Sequence, residues 1–214
     1  MRTKRMVTSA MLIALATVLS LLQPFQLPFG GGVTVASMMP IVIIAYVYGT
    51  KFGLFSGLIF GLVQMLLGAK MVAAFFLPGE EQMVLWKALC VCLLDYIIAY
   101  TVLGFGGITK RCIKNEYLSV CLGTVLALVS RYAVHVLSGA VFFGAWAEYF
   151  FTQEGFYAIG EVIIHNFSGA GLAAVYSMFY NGLYMIPEII ITAVVTPIVY
   201  FALKKANLIR NTDI

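Results

Sequence analysis

Five polar side chains stand inside long apolar runs: Asp95, Arg131, His135, Asn181 and Glu188. A charged group at mid-membrane depth costs about 2.5–3.5 kcal/mol on insertion scales, so it faces a protein interior or a cavity. Asp95 is the sharpest case, one carboxylate in the middle of "CLLDYIIAY" (92–100). A lone carboxylate in such a setting can act as a counter-charge to a cation or as a proton site. Arg131 and His135 are four residues apart and share a helix face, which Ser138, Phe142 and Trp146 continue. Ser177, Asn181, Tyr184 and Glu188 make a similar stripe, with Tyr176 and Phe143 nearer the ends of their segments.

The composition names the elements that must position these groups. Of 214 residues, 62% are hydrophobic and 10% are charged, against roughly 25% charged in a soluble domain. The sequence predicts an all-α integral membrane protein, a single domain over 1–214 in the lipid bilayer. Spanning helices need about 20 apolar residues, and six transmembrane helices are predicted, over 6–24, 37–50, 52–68, 85–108, 118–146 and 172–203. The second is short and is divided from the third only by Gly49-Thr50-Lys51. The runs do not alternate as barrel strands would. Gly53, Gly57 and Gly61 give the third helix a small-residue face for close helix contact. Ala10 and Ala14 form a similar pair on the first helix, suited to packing or to docking another membrane protein.

With the N-terminus cytoplasmic, the inner side holds Arg2, Lys4, Arg5, Lys51, Lys110, Arg111, Lys114, Lys204, Lys205 and Arg210, and the outer side only Lys70 and Lys87. That asymmetry follows the positive-inside rule and predicts both termini in the cytoplasm. It also accounts for the net charge of +4, so no nucleic-acid surface is expected. Residues 1–24 resemble an export leader, but Ala14-Leu15-Ala16 lies within the apolar stretch rather than after it, which predicts a retained helix.

Helical rise converts sequence position into depth. Asp95, His135 and Asn181 fall about 15, 16 and 14 Å below the outer ends of their helices, and Arg131 and Glu188 about 23 Å below. Three polar residues from three helices thus share one level, and an Arg131–Glu188 ion pair is expected beneath them. That pairing leaves Asp95 as a spare negative charge in a pocket that opens outward, with aromatics at its mouth. Such a pocket suits a small, flat cation, to which each aromatic contact adds about 0.5–2 kcal/mol.

Other chemistries lack their motifs. There is no G-x-x-x-x-G-K-[ST] phosphate loop, so the chain does not hydrolyse ATP by that route. There is no G-x-S-x-G or H-E-x-x-H, and Cys90, Cys92, Cys112 and Cys121 have no metal-type spacing. No enzyme activity, cofactor or metal is expected. Structural alternatives stay open: Asp95 paired with Arg131, His135 as an interior histidine, Asn181 as a helix–helix bond, and Tyr96, Tyr176, Phe143 and Trp146 as packing or interface aromatics. So does a stand-alone carrier using Asp95 or Glu188 as a proton site. The uncharged segment 24–37 is either a lid or a connector, and 156–166 is expected to form an interfacial helix.

Four stretches carry a family resemblance: "GGVTVASMMPIVIIAYVYGTKFGLFSGLIFGLVQMLLG" (31–68), "LLDYIIAY" (93–100), "SRYAVHVLSGAVFFG" (130–144) and "VYSMFYNGLYMIPE" (175–188). The chain resembles the thiamine-specific substrate-binding (S) components of energy-coupling factor (ECF) vitamin transporters, through R-Y-x-x-H-x-x-x-G-x-x-F and a following Y-x-x-x-x-N. The resemblance implies a six-helix S-component fold in a prokaryotic cell membrane. It implies capture of thiamine, or of a similar cationic vitamin or precursor, from outside. It also implies partners, a membrane coupling protein and two ATPases. The family's carboxylate–tyrosine pair falls on Asp95 and Tyr96, its histidine on His135 beside Arg131, its stacking aromatic on Phe143, and its tyrosine and asparagine on Tyr176 and Asn181. Its Ala-x-x-x-Ala contact with the coupling protein falls on Ala10 and Ala14. The chain departs from the pattern in having Asp for Glu and Phe for Trp, with Trp146 one turn on, and in its longer outer segments 69–84 and 147–172.

Overall fold

The computed structural model describes residues 2–27, 30–79 and 82–209. The chain is a helical bundle. Helix α1 is Arg2–Leu21, followed by a minimal hairpin in which β1 (Phe25–Gln26) pairs antiparallel with β2 (Gly32–Val33). Then come α2 (Met39–Tyr48), α3 (Thr50–Leu67), α4 (Ala69–Phe76), a composite α5 (Leu85–Cys112) and α6 (Glu116–Phe142). The segment 147–166 folds into α7 (Ala147–Phe151) and α8 (Tyr157–Asn166), and α9 (Gly169–Lys205) closes the bundle. Glu80, Glu81 and residues 210–214 lie outside the described residues, as do Pro28 and Phe29 of the 24–37 segment.

Among the described residues, five helices are long and apolar enough to cross a membrane: Thr3–Leu21, Thr50–Leu67, Leu85–Cys112, Glu116–Phe142 and Gly169–Lys205. The segment expected as the second spanning helix, 37–50, is shorter than the sequence suggested. Pro40 starts α2, and Gly49, at φ 95°, ends it, which leaves ten residues and about 15 Å of rise. A hydrocarbon core is about 30 Å thick. Residues 39–47 are all buried, so α2 is the hub of the bundle rather than a lipid-facing wall. Ile41, Ile43 and Ile44 pack with Phe60, Leu103, Leu128 and Met185.

Glycine sets how closely α3 and α5 approach. A Cβ on Gly57 would fall on the Tyr100 carbonyl oxygen, and one on Gly61 would lie 2.6 Å from that of Tyr96. Backbone therefore meets backbone along this seam, and the Asp95 segment is fixed against α3. Within α5, Leu93–Ile98 winds as a π-helix and Val102–Gly107 as a 3-10 helix. Single-turn π segments are frequent at functional sites, and this one carries both Asp95 and Tyr96.

Helices α6 and α9 form the most extensive pair. A Cβ on Gly139 would fall on Ser177 Oγ, and the Ser177 hydroxyl donates to the Val136 carbonyl at 2.8 Å. At the far end, Glu116 accepts from Lys204 Nζ at 2.6 Å and from the Tyr200 hydroxyl at 2.7 Å. Asn115 caps α6 by accepting from the Leu118 amide. Outward, α9 presents Ile186, Ile190, Val194 and Ile198, every fourth residue and all exposed, a stripe suited to lipid. A helix expected at 156–166 is present as α8. The expected helix 118–146 ends at 142 in a turn over Gly144–Trp146, and the expected 172–203 runs from 169 to 205.

Candidate functional site

A cavity of about 480 Å³ opens between the hairpin segment, α3, α5, α6 and α9. Asp95, Tyr96, Arg131, His135, Phe143, Trp146, Tyr176 and Asn181 all line it. The predicted level exists as a hydrogen-bonded group. Asp95 Oδ1 lies 2.9 Å from His135 Nδ1, and Asp95 Oδ2 accepts from the Ser138 hydroxyl at 2.9 Å. Asn181 Nδ2 donates to the His135 carbonyl at 3.3 Å and to the Ser177 carbonyl at 2.9 Å. The Tyr184 hydroxyl in turn donates to Asn181 Oδ1 at 2.6 Å.

The second level departs from expectation. Arg131 and Glu188 do not form an ion pair. Arg131 Nε donates to His135 Nε2 at 3.1 Å, its Nη1 points at Met38 Sδ, and its guanidinium lies over the Tyr100 ring, 4.2 Å from the centroid. Glu188 is fully buried and accepts from the Thr34 amide at 2.6 Å and the Thr34 hydroxyl at 2.8 Å. The depth estimate put both side chains at one height, but the backbone of the 30–38 segment lies against Glu188 and supplies donors of its own.

This arrangement fixes a tautomer. An arginine Nε–H only donates, so His135 Nε2 holds a lone pair and its proton sits on Nδ1, facing Asp95. The row Arg131–His135–Asp95 then carries one positive group, one neutral ring and one carboxylate. Asp95 is satisfied by two neutral donors rather than by a direct cation, and its side chain stays 23% exposed. With Glu188 counted, the local balance is one negative charge, as expected, although the pairing beneath it differs.

Aromatics form the walls. Phe143 packs edge-on against Phe75, and Trp146 against Tyr149. Tyr176 is buried against α7, where Phe150 meets Tyr176 and Tyr180 at 5.3 and 5.8 Å. Met38, Gln64, Tyr100 and Tyr180 also line the cavity and were not singled out in the sequence. Gln64 had a signal, an amide inside an apolar run. The hairpin residues had none. Gly30, Gly31, Thr34 and Ser37, from the segment read as either a lid or a connector, form one wall of the cavity. Among the described residues no group of three His, Cys, Asp or Glu stands where it can hold a metal ion. Ala10 and Ala14 lie away from the cavity, both exposed on the outer face of α1.

The sequence profile of the thiamine transporter protein family matches residues 6–166. The thiamine transporter ThiT of Bacillus subtilis (strain 168) is 30% identical over 212 residues, spanning 94% of this chain and 92% of that protein. A solved structure of ThiT from Listeria monocytogenes has the same fold, with a TM-score of 0.67 at 22% identity over 95% of this chain and 97% of the other.

Proposed function

The chain belongs to the thiamine transporter protein family, and from that premise we propose that thiamine binds in the cavity over Asp95. As a family member it is a multi-pass cell-membrane transporter and not an enzyme. The observation that carries the site assignment is the Asp95 carboxylate, the only one lining the cavity among the described residues, held by two neutral donors and open to aromatic walls. Thiamine pairs a cationic ring with a flat aminopyrimidine, which suits one counter-charge, several hydrogen-bonding groups and ring faces. Asp95 faces the cation. Arg131 and His135 orient Asp95, Asn181 and Tyr184 offer hydrogen bonds, and Phe143, Trp146, Tyr96 and Tyr176 enclose the rings.

Only Trp86 and Trp146 are available to report binding, and Trp146 alone of the two lines the cavity. Thiamine is therefore expected to quench the intrinsic fluorescence of the purified chain. Trp146→Phe removes most of the quench and Trp86→Phe leaves it. A quench that survives Trp146→Phe and vanishes with Trp86→Phe moves the ligand out of this cavity.

The transport reading is of an S component. It captures thiamine outside and delivers it through a membrane coupling protein and two ATPases. The absence of a nucleotide-binding loop from the sequence, and the exposed Ala10–Ala14 face of α1, support supply of energy from partners. In this reading the termini are cytoplasmic, and α2 with the hairpin segment completes a sixth crossing. Ala14→Arg places a bulky cation on the docking face. It is expected to leave thiamine binding unchanged and to abolish uptake by cells that carry the coupling module. Undiminished uptake, or proton-driven uptake by the chain alone in vesicles, points to a stand-alone carrier instead.

A further inference from the structure

Glu188 contacts no cavity surface, yet it is fully buried, and its donors on the 30–38 segment all come from the residue that forms the cavity wall. Its carboxylate accepts from the Thr34 amide and hydroxyl and, at 3.3 Å, from the Thr192 hydroxyl. Thr34 Oγ1 also meets Ser37 Oγ at 2.8 Å and accepts from the Ser37 amide at 3.1 Å. One carboxylate thus organises a four-residue turn that includes Ala36 at φ 54°. Two residues on the same face of α9, one and two turns earlier, hold the next part of the segment. The Tyr184 ring packs so closely on Gly31 that a Cβ there would lie 2.7 Å from Cε1, and the Tyr180 hydroxyl donates to the Gly30 carbonyl at 2.8 Å.

We propose that Glu188 is a positioning residue for the binding site: the stripe Tyr180–Tyr184–Glu188 clasps the segment 30–38, and Glu188 is its fixed anchor. The clasp acts on the site in two ways. It holds Thr34 and Ser37 in the cavity wall. It also sets Met38, whose sulfur faces the Arg131 guanidinium, and so steadies the row that runs through His135 to Asp95. A buried carboxylate accepting several hydrogen bonds is costly to leave half-satisfied, which makes it a firm anchor. This role rests on the cavity being the thiamine site, and it gives Glu188 a function independent of any charge pairing with Arg131.

The test pairs Glu188→Gln with Thr34→Val. The glutamine keeps the shape but offers one acceptor oxygen and turns an NH2 group toward donors. The valine keeps the backbone amide and removes the hydroxyl. With thiamine as the probe, Glu188→Gln is expected to speed dissociation by about tenfold while association changes by less than about threefold. In the ligand-free protein, amide hydrogen exchange over 30–38 is expected to rise by about tenfold, with α6 and the rest of α9 unchanged. Thr34→Val gives the same pattern, and the double variant adds less than the sum of the two. Unchanged exchange over 30–38 in both single variants overturns the clasp, as does faster exchange throughout the bundle, which marks a general packing role. Wild-type protein that binds no thiamine overturns the functional reading instead, and the ligand-free exchange then decides the clasp alone.

Discussion

Asp95→Asn is expected to weaken thiamine binding at least tenfold, about 1.4 kcal/mol, in a protein that still folds. The substitution is isosteric but removes the one carboxylate that lines the cavity among the described residues. It also disturbs the row behind it. Asp95 now accepts from both His135 Nδ1 and Ser138 Oγ, whereas asparagine has a single acceptor oxygen and must turn its NH2 toward one of these donors. The histidine tautomer that Arg131 relies on is then less firmly held. The fold is spared because the Asp95 side chain sits partly exposed on a cavity wall and carries none of the apolar packing. Calorimetric titration, with the thermal unfolding midpoint measured alongside, reads both quantities. Unchanged affinity removes Asp95 from the site.

Gly57→Val acts on stability rather than on chemistry. Its Cβ would fall on the Tyr100 carbonyl oxygen, with the Thr101 backbone 3.1 Å away, so the obstacle is another helix's main chain and not a side chain that can swing aside. Overpacking costs typically about 1–3 kcal/mol and occasionally more, and a backbone-to-backbone seam belongs at the upper end. The seam also fixes the π-helical segment, so binding falls with stability. Gly171→Ala is the control, since the nearest atom to an added Cβ there is Phe167 Cδ1 at 3.8 Å. We expect Gly57→Val to lower the unfolding midpoint sharply in detergent and Gly171→Ala to leave it within a degree or two, roughly the scale of a few tenths of a kcal/mol. Equal midpoints would show that α3 and α5 are not in close contact.

What the sequence conveyed well was whatever depends on helical repetition. Rise per residue put Asp95, His135 and Asn181 at one height, and the structure joins them in one hydrogen-bonded group. The four-residue glycine spacing on α3 marked the face that meets α5. Rotation about the helix axis and the path of irregular chain were not legible. Arg131 and Glu188 share a height, but Glu188 faces Thr34, a residue 154 positions away in an uncharged loop with no periodicity. The π winding at 93–98 left no mark, because an unbroken apolar run fits α and π geometry equally. The second helix was read too long because Ser37, Met38 and Gly49 are apolar or small and pass as helix, although only 39–48 winds. Tyr100 and Tyr180 were not legible as cavity residues, since nothing in a lone tyrosine tells a ring that faces a cavity from one that faces lipid.

In the proposed mode of binding, one carboxylate in an aromatic cavity recognises the positive charge of thiamine. The most direct measurement is calorimetric titration of the purified wild-type chain with thiamine and with its uncharged isostere, in which carbon replaces the thiazolium nitrogen. Saturable binding of one thiamine per chain is expected, with the isostere weaker by about tenfold or more. Equal affinity for the two, or no saturable thiamine binding by a folded protein, would contradict it.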